Sequence, residues 1–323
     1  MSACRKSDYT SSQVTPVNPN THWLLDMGFS YLKGGSQQIT VVAGVYTEVR
    51  LSKGTKLKFY PYSFKDGAGN LLNGDTIRLS VLELYGAGAA IANRSVNLSG
   101  NQLLKNNGEL YITAARDGGS VAINKYGVCF LAPAHSQEQR DLYYGHSGNE
   151  DSTIRWNRVG LMTGAYCIGT VLDTQSVYLV DTSGTKVDTT NVYRNYNVFD
   201  SCAALGWVGC AYPYQVTTQL TNISVSPASS DFNNSNTAVF LVFPQINAVV
   251  PVTDYDSASH VFSLPNGYEV PSDITADLVV IGYNGSTLYY YQQTNFLLGS
   301  NMSIIPTLRP YSLNEILNML YLL

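Results

Sequence analysis

Charge, cysteine and long apolar runs are all scarce in this chain, and each shortage removes a class of protein. Charged residues are 13% of the 323 positions, the formal net charge is -4, and no basic run exceeds two adjacent residues. The phosphate-neutralising stripe of a nucleic-acid binder is therefore missing. No apolar stretch is long enough to cross a bilayer as a helix. The five cysteines form no C-x-x-C pair, which argues against a thiolate zinc site or a thioredoxin-like redox centre. There is no G-x-S-x-G elbow, no H-E-x-x-H, no P-loop and no glycine-rich dinucleotide turn, so no catalytic residue is assigned.

What the chain has in quantity is tyrosine and glycine, 24 and 27 residues, within a 45% hydrophobic composition. Apolar surface is buried while Ser, Thr, Asn and Gln keep the exterior polar, which is the balance of an ordered all-β protein. The length suggests about two cores. Gly54 to Tyr85 is the clearest element. Leu57 and Phe59 alternate with Lys56, Lys58 and Tyr60, Pro61 stops the ladder, and Asp66-Gly67-Ala68-Gly69-Asn70 forms a loop. A second strand then puts Ile77, Leu79 and Val81 on one face; Leu82 and Leu84 take the opposite phase, through either a bulge or cover on both faces. Upstream, Gly44 marks a hairpin within Ile39 to Leu51.

Strands are also expected at Glu109 to Ala115 and Ser120 to Ile123, at Val239 to Phe243 (apolar on both faces and hence central), and at Asp277 to Tyr283 and Thr287 to Gln292 around Asn284-Gly285. The expected fold is two antiparallel β-sandwich domains with a short C-terminal amphipathic helix. Residues 1–35 form a tether, 36–133 the first sandwich, 134–163 a linker, 164–311 the second sandwich and 312–323 the helix. Ser312 and Glu315 make a capping box, and Leu313, Ile316, Leu317 and Leu320 share one helical face. That face either covers the second sandwich or docks another protein.

Met1-Ser2-Ala3-Cys4 precedes a polar segment to Asn20. This is either a lipidation site at Cys4 with a tether, binding a membrane through its acyl chains, or a start Met with a polar tail. The remaining cysteines are even in number, and Cys202 with Cys210 either closes a short disulfide or stays reduced. Asp66, Asn70 and Asp75 offer oxygens to Ca²⁺, although turn chemistry accounts for all three. His135 and His146, near Glu138, Asp141, Glu150 and Asp151, lack the fixed spacing of a metal site. Tyr143 and Tyr144, with Tyr289 and Tyr291, are candidates for a ligand surface that stacks a glycan or meets a protein; the ordinary alternative is a sheet with wet hydroxyls.

Gly54-Thr55, Pro61, Phe64, Asp66, Gly69-Asn70 and Gly74, then Asn107-Gly108-Glu109, Trp156 and Leu205-Gly206-Trp207-Val208-Gly209-Cys210 together resemble the large β-sandwich lipoproteins of Bacteroidetes. Gly209 and Ala211 stand where that family has Asn and Asp around the Cys. The resemblance implies an outer-membrane or cell-surface lipoprotein, with Lys6-Ser7-Asp8 similar to a surface-export tail, and implies no reaction. The expected function is a structural or binding component of the envelope, an accessory subunit with a protein partner; the alternative is a glycan-binding or glycan-processing surface lipoprotein.

Overall fold

The computed structural model describes residues 23–124, 128–133, 140–147, 153–159, 166–167, 173–180, 186–194, 196–200, 204–216, 219–265, 268–272 and 274–323. Cys4, Cys202, His135, Glu138, Glu150 and Asp151 lie outside them. The chain is mostly β, in several antiparallel sheets, and ends on a short helix.

In chain order the first part runs α1 (Trp23–Leu32), β1 (Gln37–Val42), β2 (Thr47–Arg50), β3 (Lys56–Phe59), β4 (Phe64–Lys65), β5 (Thr76–Leu84), α2 (Ala87–Ala92), β6 (Leu98–Ser99), β7 (Gln102–Ala115), β8 (Ala122–Ile123) and β9 (Val128–Pro133). It continues through β10 (Arg140–Ser147), β11 (Ile154–Arg158), β12 (Tyr166–Cys167), a hairpin of β13 (Asp173–Val180) and β14 (Lys186–Arg194), β15 (Tyr196–Asp200) and β16 (Gly206–Pro213). One large sheet takes the order β1-β5-β7-β16-β10-β12-β15-β9-β3-β2, with β11 beside β10 and β6 beside β7. Its outermost strands, β1 and β2, are consecutive in the chain. The sheet therefore rolls over on itself, and Leu57, Ile77, Leu79, Leu110, Ile112, Val208 and Cys210 meet in one core.

Gly44 is the corner of that roll and not the tip of a hairpin, because β1 pairs with β5 and β2 with β3. Its φ is +89°, and a Cβ there would lie 2.0 Å from Asn73 Oδ1, so only glycine fits. Of the two alternatives for β5, a bulge or cover on both faces, the bulge is absent and the later residues Leu82 and Leu84 are half-buried and buried. Register with β7 is unbroken from Arg78 to Leu84, and the in-phase position after Val81 is taken by a buried carboxylate, Glu83. Strand pairing also cuts across the expected boundaries at 133/134 and 163/164. β10 and β11, within the expected linker, and β12, β15 and β16, beyond it, all belong to the large sheet. The physical reason is that Arg140–Ser147 carries Leu142 as its one aliphatic side chain and buries tyrosine in place of the rest, so no apolar alternation marks it.

The second part comprises β17 (Leu220–Thr221), β18 (Ile223–Val225), β19 (Thr237–Phe243), β20 (Ala248–Pro251), β21 (Asp254–Asp256), β22 (Val261–Ser263), β23 (Val270–Pro271), β24 (Thr275–Asn284), β25 (Thr287–Leu297), β26 (Met302–Ile304), β27 (Arg309–Tyr311) and α3 (Leu313–Tyr321). β20-β19-β24-β25-β27 form one sheet and β21-β22-β18-β26 another. β19 is central and apolar, as expected, and β24 and β25 form the hairpin around Gly285. α1 and α2 share the core of these sheets. Leu25, Phe29 and Leu32, spaced i, i+4, i+7, turn α1 toward β19 and β24, Phe29 meeting Phe240 edge-on at 6.2 Å. Residues 23–32 thus belong to the folded body, contrary to the expected tether over 1–35. Gly28 permits the approach, since a Cβ there would sit 2.9 Å from that of Tyr283.

A candidate binding cleft on the outer face of the large sheet

Cross-strand register places Leu82, Tyr111, Trp207, Gly145 and Trp156 opposite one another on β5, β7, β16, β10 and β11. Directly paired residues project to the same face of a sheet, so this row forms a band on the outer face of the roll. Tyr111 and Trp207 have ring centroids 4.7 Å apart, and Trp207 meets Trp156 edge-on at 6.4 Å. Two glycines make room for the indoles. A Cβ at Gly145 would lie 2.7 Å from Trp207 Cβ and 3.1 Å from Trp156 Cζ3, and one at Gly209 would lie 2.8 Å from the same Cζ3. Trp156 is buried while Trp207 and Tyr111 remain half-exposed.

Above Tyr111 and Trp207 opens a cleft of about 530 Å³, walled by α1 on one side and by the segment after α2 on the other. Asp26 on α1 forms an ion pair with Arg94 Nη1, and the Arg94 guanidinium lies 4.5 Å over the Phe29 ring. Arg94 sits at φ +53°, a left-handed conformation, and its carbonyl accepts the amide of Ile154 at 2.7 Å, which locks this wall to β11. Along the far edge, Ser80 Oγ donates to Ser36 Oγ at 2.7 Å, and Gln38 Nε2 donates to both hydroxyls. Lys33 stands at the mouth. The cleft thus pairs an aromatic floor with a rim of hydroxyls and charges, and among the described residues its lining includes no histidine to activate a serine. The chemistry of such a surface suits polar ring-shaped ligands, aromatic side chains stacking on ring faces and the rim meeting hydroxyls.

Two positions along β7 from Tyr111, on the same face, Glu109 is buried beneath the wall. Its Oε1 accepts from Asn97 Nδ2 at 2.9 Å and Asn106 Nδ2 at 2.8 Å, and its Oε2 accepts from Ser95 Oγ at 2.5 Å. Burial pushes its carboxyl up to about 7, against the three hydrogen bonds, which act to lower it. Asn97 also exchanges hydrogen bonds with the Val249 backbone, joining this network to β20.

Most residues singled out from sequence lie elsewhere. Tyr143 faces Gly209 on the outer side and is 1% exposed, packed with Trp156 and Ile154, so it offers no ring to a ligand; burial, then Asp141, pushes its phenol up to about 12. Tyr144 turns into the rolled core. Tyr289 and Tyr291 are half-buried, Tyr289 edge-on to Phe232 at 5.1 Å and Tyr291 donating to Gln293 Oε1 at 3.2 Å. On α3, Ile316 and Leu320 are buried and Leu313 and Leu317 pack beside them, behind a formed capping box. Cys210 is a buried free thiol. Asp66 accepts from the Asn70 amide and side chain, which hold its carboxyl below the usual range, and from the Ala68 amide, while Asp75 pairs with Arg116 at 2.8 Å, so each of the candidate Ca²⁺ ligands has a protein partner. Asp141 likewise pairs with Arg158 at 2.8 Å.

Trp207, Tyr111, Asp26, Arg94 and Glu109 were not expected from sequence as a site. The readable signal was the Gly-Trp-Val-Gly run, whose glycines flank one of only three tryptophans. Tyr46 and Tyr62 are exposed on either side of the half-buried Tyr60, which is tilted against Tyr46 at 5.7 Å and stacked on Tyr62 at 6.0 Å between centroids. No protein-family model and no curated protein matches the chain.

Proposed function

We propose that the protein is a lipid-anchored glycan-binding component of a bacterial cell envelope, built as two β-sandwich bodies and held at the outer membrane or cell surface through Cys4. The observation that carries the binding role is the Tyr111–Trp207 floor under the polar Asp26–Arg94 rim. The anchor and the location rest on the N-terminal Met-Ser-Ala-Cys and on the resemblance to β-sandwich surface lipoproteins. Titration of the protein with a panel of neutral oligosaccharides tests the binding role. A ligand bound by the wild type should be held about tenfold more weakly by Trp207→Ala, and a panel with no binder removes this reading. Release from membranes on Cys4→Ala tests the anchor, and retention there refutes it.

A second reading, an accessory subunit of a surface assembly, draws on one observation. Tyr46 and Tyr62 are about half exposed beside the equally exposed Val45, an aromatic patch with the composition of a protein interface. A stoichiometric partner that co-purifies from detergent-solubilised envelopes, and is lost with Tyr46→Ala and Tyr62→Ala, favours this reading.

A further inference from the structure

A second cleft, of about 320 Å³, lies on the other part of the molecule where β25 and β27 meet α3. Register sets Tyr290 opposite Arg309, and Leu288 opposite Tyr311, so Tyr290, Gln292, Arg309 and Tyr311 project to one face. Arg309 is exposed, and among the described residues the cleft's lining holds no acidic side chain. Tyr290 donates its hydroxyl to Gln292 Oε1 at 2.9 Å, which occupies the acceptor end of that amide and leaves its Nε2 hydrogens to the cleft. Thr307 adds a hydroxyl, and the half-exposed Tyr311 ring forms a wall. The groups that converge are a fixed cation and neutral donors beside an aromatic edge.

We propose that this cleft binds an oxyanion carried on a sugar ring, such as the carboxylate of a uronic acid, with Arg309 and Gln292 as its donors. A planar guanidinium matches a carboxylate through two parallel hydrogen bonds, and Asp277, the carboxylate that acts on Tyr290 from behind the cleft, is already bonded to the Asn295 amide. The site is separate from the Trp207 cleft and does not depend on it.

Titration of the full chain with D-glucuronate, D-glucose and inorganic sulfate, followed by the NMR signals of the Gln292 side-chain amide, tests the assignment. Glucuronate should shift those signals and glucose should not. Arg309→Gln, a surface change, should weaken glucuronate binding by at least about tenfold, since it removes the charge and both parallel hydrogen bonds, whereas Trp207→Ala should leave it unchanged. Absence of glucuronate binding, equal response to glucose, or indifference to Arg309→Gln would overturn the proposal. Sulfate binding as tightly as glucuronate would remove the sugar from it.

Discussion

The interior of the five-stranded sheet and the outer face of the large sheet are both buried for much of their area, and they are assembled in different ways. In the first, Val239, Phe240, Leu241, Val242 and Phe243 are each no more than 2% exposed and pack against Leu278, Val279 and Val280. These contacts are apolar apart from Asp277, which stands opposite Val242, and the strand is bonded on both sides. On the second, glycines replace side chains so that the Trp156 indole can approach the backbone, and a carboxylate is buried among three neutral donors. The first arrangement maximises burial. The second gives up burial and favourable solvation for a shaped, half-open surface, which is why the larger cleft lies there.

Truncation inside the apolar sheet should have the largest effect. Phe243→Ala should cost about 3–5 kcal/mol in denaturant unfolding, through lost transfer energy and a residual cavity. A value near zero would mean that the interior is looser than its burial indicates.

Next comes Glu109. Its carboxyl binds a proton below about 7 in the fold and near 4.5 when unfolded. Stability is therefore greatest below about 4.5, where both states hold the proton, and falls by roughly 3 kcal/mol as pH rises through 7. Glu109→Gln keeps an acceptor for Asn97 and Asn106 and presents an amide to Ser95, so it should flatten this dependence in unfolding curves taken at pH 5, 6, 7 and 8. An unchanged slope would place the titrating group elsewhere. Gly209→Ala should cost about 1–3 kcal/mol, because the added methyl meets the rigid Trp156 ring; a neutral result would show that the outer face can yield, and the contrast would weaken. Ser312→Ala should be the mildest, at about 1 kcal/mol, since it removes only the α3 cap. No loss there would detach α3 from the stability of its core.

The same contrast explains how far the sequence could be read. β3, the first half of β5, β19, the β24–β25 hairpin and α3 carry strict periods or caps, and each is found within a few residues of its expected place. α2, in Gly86 to Ala92, was hidden by small residues; its Gly88 touches α3 so closely that a Cβ would lie 1.7 Å from the Leu320 carbonyl oxygen. β10 was hidden by tyrosines and charge. The cleft was illegible for another reason: Asp26, Arg94, Tyr111 and Trp207 are far apart in the chain and are united only by strand register and by the docking of α1. Local patterns hold no record of which distant strands become neighbours.

β16 occupies the middle of the large sheet, between β7 and β10, yet it is the last strand of that sheet in the chain. During synthesis its two neighbours must wait with open edges until Gly206–Pro213 leaves the ribosome, while α1 waits longer still for β24. A nascent chain of this kind needs protection from self-association for most of its translation, and a premature stop before β16 leaves a sticky fragment instead of a smaller working protein.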